Sequence, residues 1–403
     1  MCGLLSPENW RVSFMYRSGE FSADDSHHLS ESGSGPGHRR QPTVTLARPV
    51  EQIRVVVVDD SPFMRTLITS VLEQAGIEVV GQAEDGETAL DAVRTHRPHV
   101  VTMDLRMPNV DGVEAIRRIM RDAPTPVLVL SAHADGDADE TLDALEAGAA
   151  DFLAKPGGEL TTGIPEVKAE LVERIVALAE RPERDTSVDS RPATPVPAAA
   201  SAVPRDATLV VGASTGGPAV LERLLAELPL AAGLRVLAVQ HMPPAFTRRF
   251  AERLDAKSDY HVREAREGDE CRAGEVLLAP GGSHMEVVSD RNGAIRVHLT
   301  DDPAVNGVKP AVDVTMWTAA QQLRAPTVGL VCTGMGADGA VGVEALKGAG
   351  ATILVQDAAT SSVYGMPLRA RETGCVDEEA PADRLAERVL ARLAGPEEAA
   401  DGY

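Results

Sequence analysis

Short apolar runs alternate with longer amphipathic segments along most of the chain. In the first half, four runs rich in valine and leucine predict buried strands at 55–58, 100–103, 127–130 and 152–154. A segment at 171–179 has the spacing of a closing helix. Strands that alternate with helices in this way are typical of a doubly wound α/β domain, with a parallel sheet covered by helices on both faces.

The second half repeats this rhythm with different turns. Apolar runs predict strands at 209–211, 236–239, 276–278, 328–332 and 353–355, and amphipathic segments predict helices at 218–227, 247–254, 310–323, 340–348 and 382–393. Between them, residues 282–299 carry two apolar segments around Asn292-Gly293, which predicts an inserted β-hairpin. We therefore expect a second α/β domain, Rossmann-like, with a mostly parallel sheet.

The segments outside these patterns set the expected domain boundaries. Residues 1–52 mix Ser, Gly, His and Pro without a period and predict a disordered extension, and the proline-rich residues 179–206 predict a linker. The first domain is then 53–178, the second is 207–395, and 396–403 form a tail. A length of 403 residues suits two domains of this size.

Composition limits the classes of protein that fit. A hydrophobic fraction of 43% and a charged fraction of 25% are those of a soluble globular protein. No apolar run approaches the roughly 20 residues that span a bilayer, and no secretory signal is present, so we expect a cytoplasmic protein without membrane insertion. The net charge of −22 argues against nucleic acid as a partner. The four cysteines lack metal-ligand spacing.

Charged residues follow the predicted strands of the first domain. Asp59 and Asp60 come after one strand, Asp104 and Ser131 after two others, and Lys155 after the last. Because the carboxyl ends of parallel strands meet at one crevice, we expect these side chains to converge. Carboxylates packed together need a shared cation, and Mg²⁺ prefers such oxygen ligands.

These positions lie in motifs that resemble the response-regulator receiver domains, which have a flavodoxin-like fold. The matching segments are Val-Val-Asp-Asp-Ser at 57–61, Met-Asp-Leu-Arg-Met-Pro at 103–108, Asp-Gly at 111–112, Ser-Ala at 131–132 and Ala-Lys-Pro at 154–156. The resemblance implies that a histidine kinase phosphorylates Asp104, and that Asp59, Asp60 and Asp104 hold Mg²⁺ with help from the Arg106 carbonyl. It gives Lys155 and Ser131 supporting roles and makes Phe152 the aromatic sensor, where the family often has tyrosine.

The second domain places a serine between glycines at the end of a predicted strand. Residues 212–217 read Gly-Ala-Ser-Thr-Gly-Gly, and a serine on such a turn can act as a nucleophile, although similar turns also bind phosphate or simply turn. A nucleophilic Ser214 needs a base that a carboxylate orients. His241 and Asp338 also follow predicted strands, so the three side chains can converge.

Other residues compete for these roles. His284 lies in the predicted hairpin, and His261 and His298 lie in polar or alternating segments that favour the surface. Asp313 lies in a predicted helix, where a helix cap or a buried hydrogen bond is the default. Met335, in a Gly-Met-Gly turn, is ordinarily a packing residue, although its backbone N–H can face the site.

Several motifs of the second domain resemble the catalytic domain of the CheB protein-glutamate methylesterases of chemotaxis. They lie at 211–218, 240–247, 278–281, 303–306, 333–339 and 364–367. The resemblance implies Ser214, His241 and Asp338 as the catalytic triad, and no cofactor for the esterase chemistry. For the oxyanion donors, which the motifs do not fix, our candidates are Thr215 and the backbone of Met335. It further implies methyl-accepting chemoreceptors as substrates, deamidation of receptor glutamines, and inhibition by the unphosphorylated receiver, although no docking face is legible in the sequence.

Three other functions stay open at this point. Residues 212–217, here called the serine loop, can belong to a module that binds a phosphate or nucleotide. The loop lacks both the G-x-G-x-x-G order and the GK[ST] ending that such modules need. A DNA-binding response regulator requires a basic output domain, which the acidic composition opposes. A generic esterase fits if the receptor specificity is absent.

Overall fold

The computed structural model describes residues 49–131, 138–155, 164–180, 203–204, 206–230, 233–324 and 326–394. Nearly all of the expected N-terminal extension, most of the expected linker and the expected tail lie outside these residues. Within the described part of the chain, no helix has both the length and the apolar character needed to cross a membrane.

The first domain is the predicted doubly wound α/β unit. Its parallel five-stranded sheet has the order β2-β1-β3-β4-β5. In chain order the elements are β1 (Arg54–Val58), α1 (Pro62–Gln74), β2 (Glu78–Ala83), α2 (Gly86–His96), β3 (Val100–Asp104), α3 (Gly112–Asp122), β4 (Val127–Ser131), α4 (Ala138–Glu146), β5 (Asp151–Ala154) and α5 (Ile164–Ala179). The strand order reverses between β1 and β3, and a ligand crevice opens at such a point.

Strand β2 was not among the expected strands. It lies at the edge of the sheet and pairs with β1 alone, so only Ala83 at its end is buried. An edge strand that is half exposed lacks the continuous apolar run that marks a central strand such as β3, in which every residue is buried.

The second domain is the predicted α/β unit with a parallel sheet. Its seven strands have the order β14-β13-β12-β6-β7-β9-β8. The elements are β6 (Thr208–Ala213), α6 (Gly217–Glu227), β7 (Arg235–Gln240), α7 (Pro244–Lys257), β8 (His261–Glu264), β9 (Glu275–Leu278), β10 (His284–Ser289), β11 (Ile295–Thr300), α8 (Val312–Gln322), β12 (Thr327–Val331), α9 (Ala340–Gly348), β13 (Thr352–Gln356), α10 (Met366–Glu372), β14 (Glu378–Ala380) and α11 (Leu385–Leu393).

The predicted hairpin is confirmed as the antiparallel pair β10–β11. His284 faces Thr300 and Ser289 faces Ile295 across the pair, and the turn contains Gly293 at φ +82°. Strands β8 and β14, which the sequence patterns did not predict, are the two edges of the large sheet. Central β6 is buried along its whole length, between β12 and β7.

Candidate functional site

Three carboxylates of the first domain gather at the ends of the paired strands β1 and β3. Asp59 and Asp60 follow β1, Asp104 ends β3, and their carboxylate oxygens lie within 4.8 Å of one another. Asp59 and Asp104 are buried, while Asp60 is exposed. Clustered carboxylate oxygens with one side open to solvent suit Mg²⁺, so these residues fit the ion that the sequence predicts.

Lys155 and Ser131 lie beside this cluster. The Lys155 Nζ is 2.9 Å from Asp59 Oδ2 and 2.8 Å from Asp104 Oδ2. Burial raises the pKa of Asp104 above its ordinary value, although the hydrogen bond from Lys155 opposes the rise. The Ser131 hydroxyl accepts a hydrogen bond of 3.1 Å from the Thr141 hydroxyl, which links the end of β4 to helix α4.

In the second domain, Ser214 lies directly after β6 and is half-buried. Its backbone is held on two sides: Ser214 N donates to Thr333 O at 3.0 Å, and Gln240 Nε2 donates to Ser214 O at 2.9 Å. A Cβ at position 334 would lie 2.7 Å from the Cβ of Ser214, so the close approach of the two loops requires Gly334.

His241 and Asp338 come together beside this loop. His241 follows β7, and its Nε2 lies 2.8 Å from Asp338 Oδ2. The His241 side chain is 10% exposed and that of Asp338 is 2% exposed. Strands β6, β7 and β12 are neighbours in the sheet, which explains why residues far apart in sequence meet at their carboxyl ends.

The Asp338 carboxylate is held by more than the histidine. It accepts hydrogen bonds from the first amides of helix α8, Val312 N at 2.6 Å and Asp313 N at 3.0 Å, and from Gly339 N at 3.1 Å. Burial alone would raise the pKa of Asp338, but the hydrogen bond with His241 and the backbone amides hold this pKa below its ordinary value. Asp338 is therefore the charged partner of the imidazole.

The side chains of Ser214 and His241 are not joined by a hydrogen bond in the part of the chain that the structure describes. Among the residues that the structure describes, the Ser214 hydroxyl has no hydrogen-bond partner. Because Nε2 of His241 is engaged by Asp338, Nδ1 is the ring nitrogen left to face a nucleophile. Catalytic hydrogen bonds are often long in enzymes without substrate.

The two residues predicted as oxyanion donors are Thr215, directly after Ser214, and Met335, directly after Gly334. Within the described residues, the N–H groups of Thr215 and Met335 donate no hydrogen bond. The Thr215 hydroxyl donates instead to the Asp151 carboxylate of the first domain, and the Thr215 carbonyl accepts from Thr333 Oγ1 at 2.8 Å. This hydroxyl is therefore occupied while the two domains are docked.

The competing histidines have other partners. His284 is buried; its Nδ1 accepts from Ala311 N at 3.2 Å, and its Nε2 lies 3.0 Å from Pro303 O. The remaining two are exposed and pair with carboxylates, namely His261 with Asp255 and His298 with Glu267. Asp313 is buried, and its carboxylate accepts hydrogen bonds from the backbone amides of Gly339 and Gly342.

The first domain docks directly on the serine loop. Besides the Thr215–Asp151 contact, Gly216 N donates to Ala150 O at 2.8 Å. The rings of Phe152 and Phe246 pack beside these bonds, with centroids 4.4 Å apart. Asp151 and Ala150 carry no motif, so sequence reasoning missed them; their role depends on how two separate surfaces meet.

Ion pairs border this contact between helices α4 and α7. Arg253 Nη2 lies 2.6 Å from Asp143 Oδ1 and donates to Asp139 O at 2.7 Å. Lys257 Nζ lies 2.9 Å from Glu146 Oε1. The acidic face of α4 thus meets basic side chains of α7, and this is the docking face that the sequence did not reveal.

Comparison with known proteins gives matches over both domains. Residues 55–162 match the response regulator receiver domain and residues 209–389 match the CheB methylesterase domain. A relative from Natronomonas pharaonis, named protein-glutamate methylesterase/protein-glutamine glutaminase, is 52% identical over 344 residues, which cover 84% of this chain and 97% of the relative. A relative of the same name from Haloarcula marismortui is 50% identical and covers 84% of this chain and 97% of its own.

A solved structure of the Thermotoga maritima CheB methylesterase catalytic domain is 38% identical, with a TM-score of 0.44, and covers 45% of this chain and 96% of that one. The two matched domains define a response regulator in which a receiver domain is joined to a CheB methylesterase domain. The chain belongs to the protein-glutamate methylesterase/protein-glutamine glutaminase family.

Proposed function

We propose that this protein is a phosphorylation-activated hydrolase of chemotaxis signalling. It demethylates glutamate methyl esters on methyl-accepting chemoreceptors, deamidates receptor glutamines and thereby mediates sensory adaptation in the cytoplasm. The observation that carries this proposal is Ser214 at the end of β6 beside a hydrogen-bonded His241–Asp338 pair. The names of the relatives support the substrate class.

The first half-reaction forms an ester on the enzyme. Ser214 Oγ attacks the side-chain carbonyl carbon of the methylated glutamate and gives its proton to His241 Nδ1. The amides of Thr215 and Met335 donate to the developing oxyanion. The carbon–methoxy bond then breaks, and methanol leaves with the proton from the imidazolium.

The second half-reaction restores the serine. His241 takes a proton from water, the hydroxide attacks the glutamyl-serine ester, and Ser214 leaves with that proton. The product on the receptor is a glutamate carboxylate. A glutamine side chain gives the same acyl-enzyme with ammonia as the leaving group, so one site supports both reactions. No step needs a cofactor.

Control by the receiver follows from its docking. Asp151 and Ala150 of the receiver bind Thr215 and Gly216, the residues directly after the nucleophile, and this contact restricts the site. A histidine kinase is the proposed phosphodonor for Asp104. When bound, Mg²⁺ supplies charge neutralisation for the transferred phosphoryl group. Lys155 lies within ion-pair distance of Asp104, so its ammonium group can also neutralise charge on a phosphoryl group carried by Asp104.

The Ser131 hydroxyl connects the phosphorylation site at Asp104 to helix α4, which contacts α7 of the second domain. Thr141, which donates to Ser131, lies on α4, the helix that carries the ion pairs to α7. A phosphoryl group on Asp104 attracts a hydroxyl donor, so Ser131 would turn towards it and release Thr141. Helix α4 then shifts against α7 and the docked contact weakens.

Methanol release from methylated receptor membranes tests the proposal. Ser214→Ala is expected to abolish release, while Ser289→Ala, which alters a hairpin serine bonded to Gln322, is expected to keep the wild-type rate. A small phosphodonor with Mg²⁺ is expected to raise the rate of the wild type and to leave Asp104→Ala unchanged. Removal of residues 1–206 is expected to raise the basal rate.

Each alternative gives a different result. Substantial release by Ser214→Ala would rule out the serine mechanism. A lower rate in a folded fragment without residues 1–206 would rule out inhibition by the receiver. Hydrolysis of small esters without methanol release from receptors would favour a generic esterase, and nucleotide protection without labelling of Ser214 would favour a binding module.

A further inference from the structure

Asp313 is a second buried carboxylate beside the proposed triad, and the mechanism above does not use it. It lies in the first turn of α8 and is 2% exposed. Its Oδ1 accepts hydrogen bonds from Gly339 N at 2.9 Å and Gly342 N at 2.7 Å, at the start of α9. The Asp313 carboxylate therefore binds the first amides of a helix other than its own.

Asp338 does the reverse. It precedes α9 in sequence, yet its carboxylate accepts from Val312 N and Asp313 N at the start of α8. Asp338 thus caps α8, the helix that carries Asp313, and Asp313 caps α9, the helix that follows Asp338. Because capping bonds to a carboxylate are charge-assisted and directional, this exchange fixes the two helix starts and both carboxylates relative to one another.

Asn306 joins the two carboxylates. Its Nδ2 lies 3.0 Å from Asp313 Oδ2 and 3.4 Å from Asp338 Oδ1. The Asn306 backbone has φ +53°, a left-handed conformation that asparagine tolerates better than most residues. One amide group therefore ties the side chain of Asp313 to the carboxylate that binds His241.

The environments of the two carboxylates differ. Burial and the nearby charge of Asp338 raise the pKa of Asp313 well above its ordinary value, whereas the pKa of Asp338 is lowered. When their environments move the pKa values of two neighbouring acids apart, the two acids usually have different tasks.

We propose that Asp313 is a positioning residue for catalysis, which holds the Asp338 carboxylate against His241 Nε2 through Asn306 and the exchanged helix caps. This inference rests on the proposed Ser214, His241 and Asp338 mechanism and deepens it. The physical basis is orientation: a displacement of about 1 Å in a catalytic group can cost about a hundredfold in rate.

The substitution Asp313→Asn tests this role with little change in shape. The introduced amide side chain keeps an oxygen for the amides of Gly339 and Gly342, but its NH₂ group then faces the NH₂ group of Asn306. Two donors cannot bond to each other, so the link to Asp338 is lost while the cap of α9 is kept. Asn306→Ala removes the same link from the other side.

Thr315→Val is the matched control. The Thr315 hydroxyl is buried on the same helix and donates its hydrogen bond to Met285 O at 2.6 Å rather than to either carboxylate. This substitution removes a buried hydrogen bond and is expected to lower the melting temperature only.

The measurements use the full-length protein with the phosphodonor: kcat and KM for methanol release, the melting temperature, and the downfield proton resonance of the His241–Asp338 hydrogen bond. For Asp313→Asn and Asn306→Ala we expect kcat to fall by about ten- to a hundredfold with KM unchanged, the usual range for loss of an outer positioning partner. The histidine resonance shifts or disappears in both variants, and it stays in place in Thr315→Val.

Different results overturn different claims. A folded Asp313→Asn protein with wild-type kcat and an unmoved resonance overturns the positioning role while leaving the triad intact. An equal loss of kcat in Thr315→Val and Asp313→Asn, at equal losses of melting temperature, overturns it as well. Retained release in Ser214→Ala overturns the serine mechanism, and this inference falls with it.

Discussion

The hydroxyl of Thr215 donates a hydrogen bond to the carboxylate of Asp151, across the boundary between the two domains. Thr215 directly follows the proposed nucleophile, and Asp151 begins the last strand of the receiver. The same carboxylate lies 2.6 Å from Arg174 Nη1, which holds it in place. The receiver thus holds the loop on which esterase chemistry would occur.

Asp151→Ala is expected to raise the rate of the unphosphorylated enzyme. Loss of one hydrogen bond of about 1 kcal/mol shifts a docked–undocked equilibrium by about fivefold. The measurement is methanol release without phosphodonor. Asp122→Ala, which alters a receiver aspartate that pairs with Arg94 and Arg121 of its own domain, is the control and should leave the rate unchanged. An unaltered rate in Asp151→Ala would argue against this contact as a restraint.

The Arg253–Asp143 ion pair offers an independent test of the same docked contact. Arg253→Asp places like charges together on α4 and α7, and it should raise the basal rate by about two- to fivefold, given about 1 kcal/mol or less for exposed pairs. The double variant Asp143→Arg with Arg253→Asp restores opposite charges and should return the rate towards wild type. Equal basal rates in the single and double variants would contradict a direct interaction.

Asp338→Asn is expected to lower kcat by about 10²- to 10⁴-fold. The asparagine NH₂ group would donate to Nε2 of His241, which places the ring proton on Nδ1 and removes the base that we propose for Ser214. Steady-state methanol release measures the effect. Asp301→Asn, at an exposed aspartate bonded to Lys309, is the control and should keep wild-type kcat. A loss of less than about tenfold would argue against Asp338 as the orienting carboxylate.

The hydrogen bonds of the Asp85 carboxylate predict that the stability of the receiver depends on pH. It caps α2, and its carboxylate accepts from the Thr88 hydroxyl at 2.7 Å, from Thr88 N at 2.9 Å and from Asn109 Nδ2 at 2.9 Å. These bonds lower the pKa of Asp85 from 3.8 to about 2. Because the folded pKa is lowered, the stabilisation is complete above the ordinary value and is lost as pH falls from about 4 to about 2.

The corresponding experiment compares the wild type with Asp85→Ala by chemical unfolding across this range. Near pH 7 the substitution should lower the free energy of unfolding of the receiver by about 0.5–2 kcal/mol, the usual cost of an N-cap. The difference should shrink as pH falls below 4. Asp85→Asn keeps a capping oxygen and should lose less at pH 7. A difference that is constant with pH would contradict a role for the ionised carboxylate.

The local order of the chain predicted much of the fold and of the sites. Alternation of apolar runs with amphipathic segments indicated two parallel sheets, and Asn292-Gly293 indicated the hairpin between β10 and β11. Positions in the segments that follow apolar runs brought Asp59 and Asp104 into one cluster and His241 and Asp338 into one pair. Both results follow from a rule of parallel sheets, that carboxyl ends of strands share one edge.

The sequence patterns did not predict three of the strands at the edges of the two parallel sheets. Strands β2, β8 and β14 pair on one side only, so their apolar positions are few and their sequences resemble loops. Their existence depends on a neighbouring strand that is already in place.

The sequence by itself therefore determined the two α/β domains and the residue types at the strand ends, because periodicity and strand-end position are local properties. Only the tertiary structure decided that Nε2 of His241 is the nitrogen facing Asp338, that Asp338 and Asp313 cap each other's helices, and that Asp151 of the receiver reaches Thr215. Each of these contacts joins separate elements, and their geometry is set by how the surfaces pack, for which no local pattern exists.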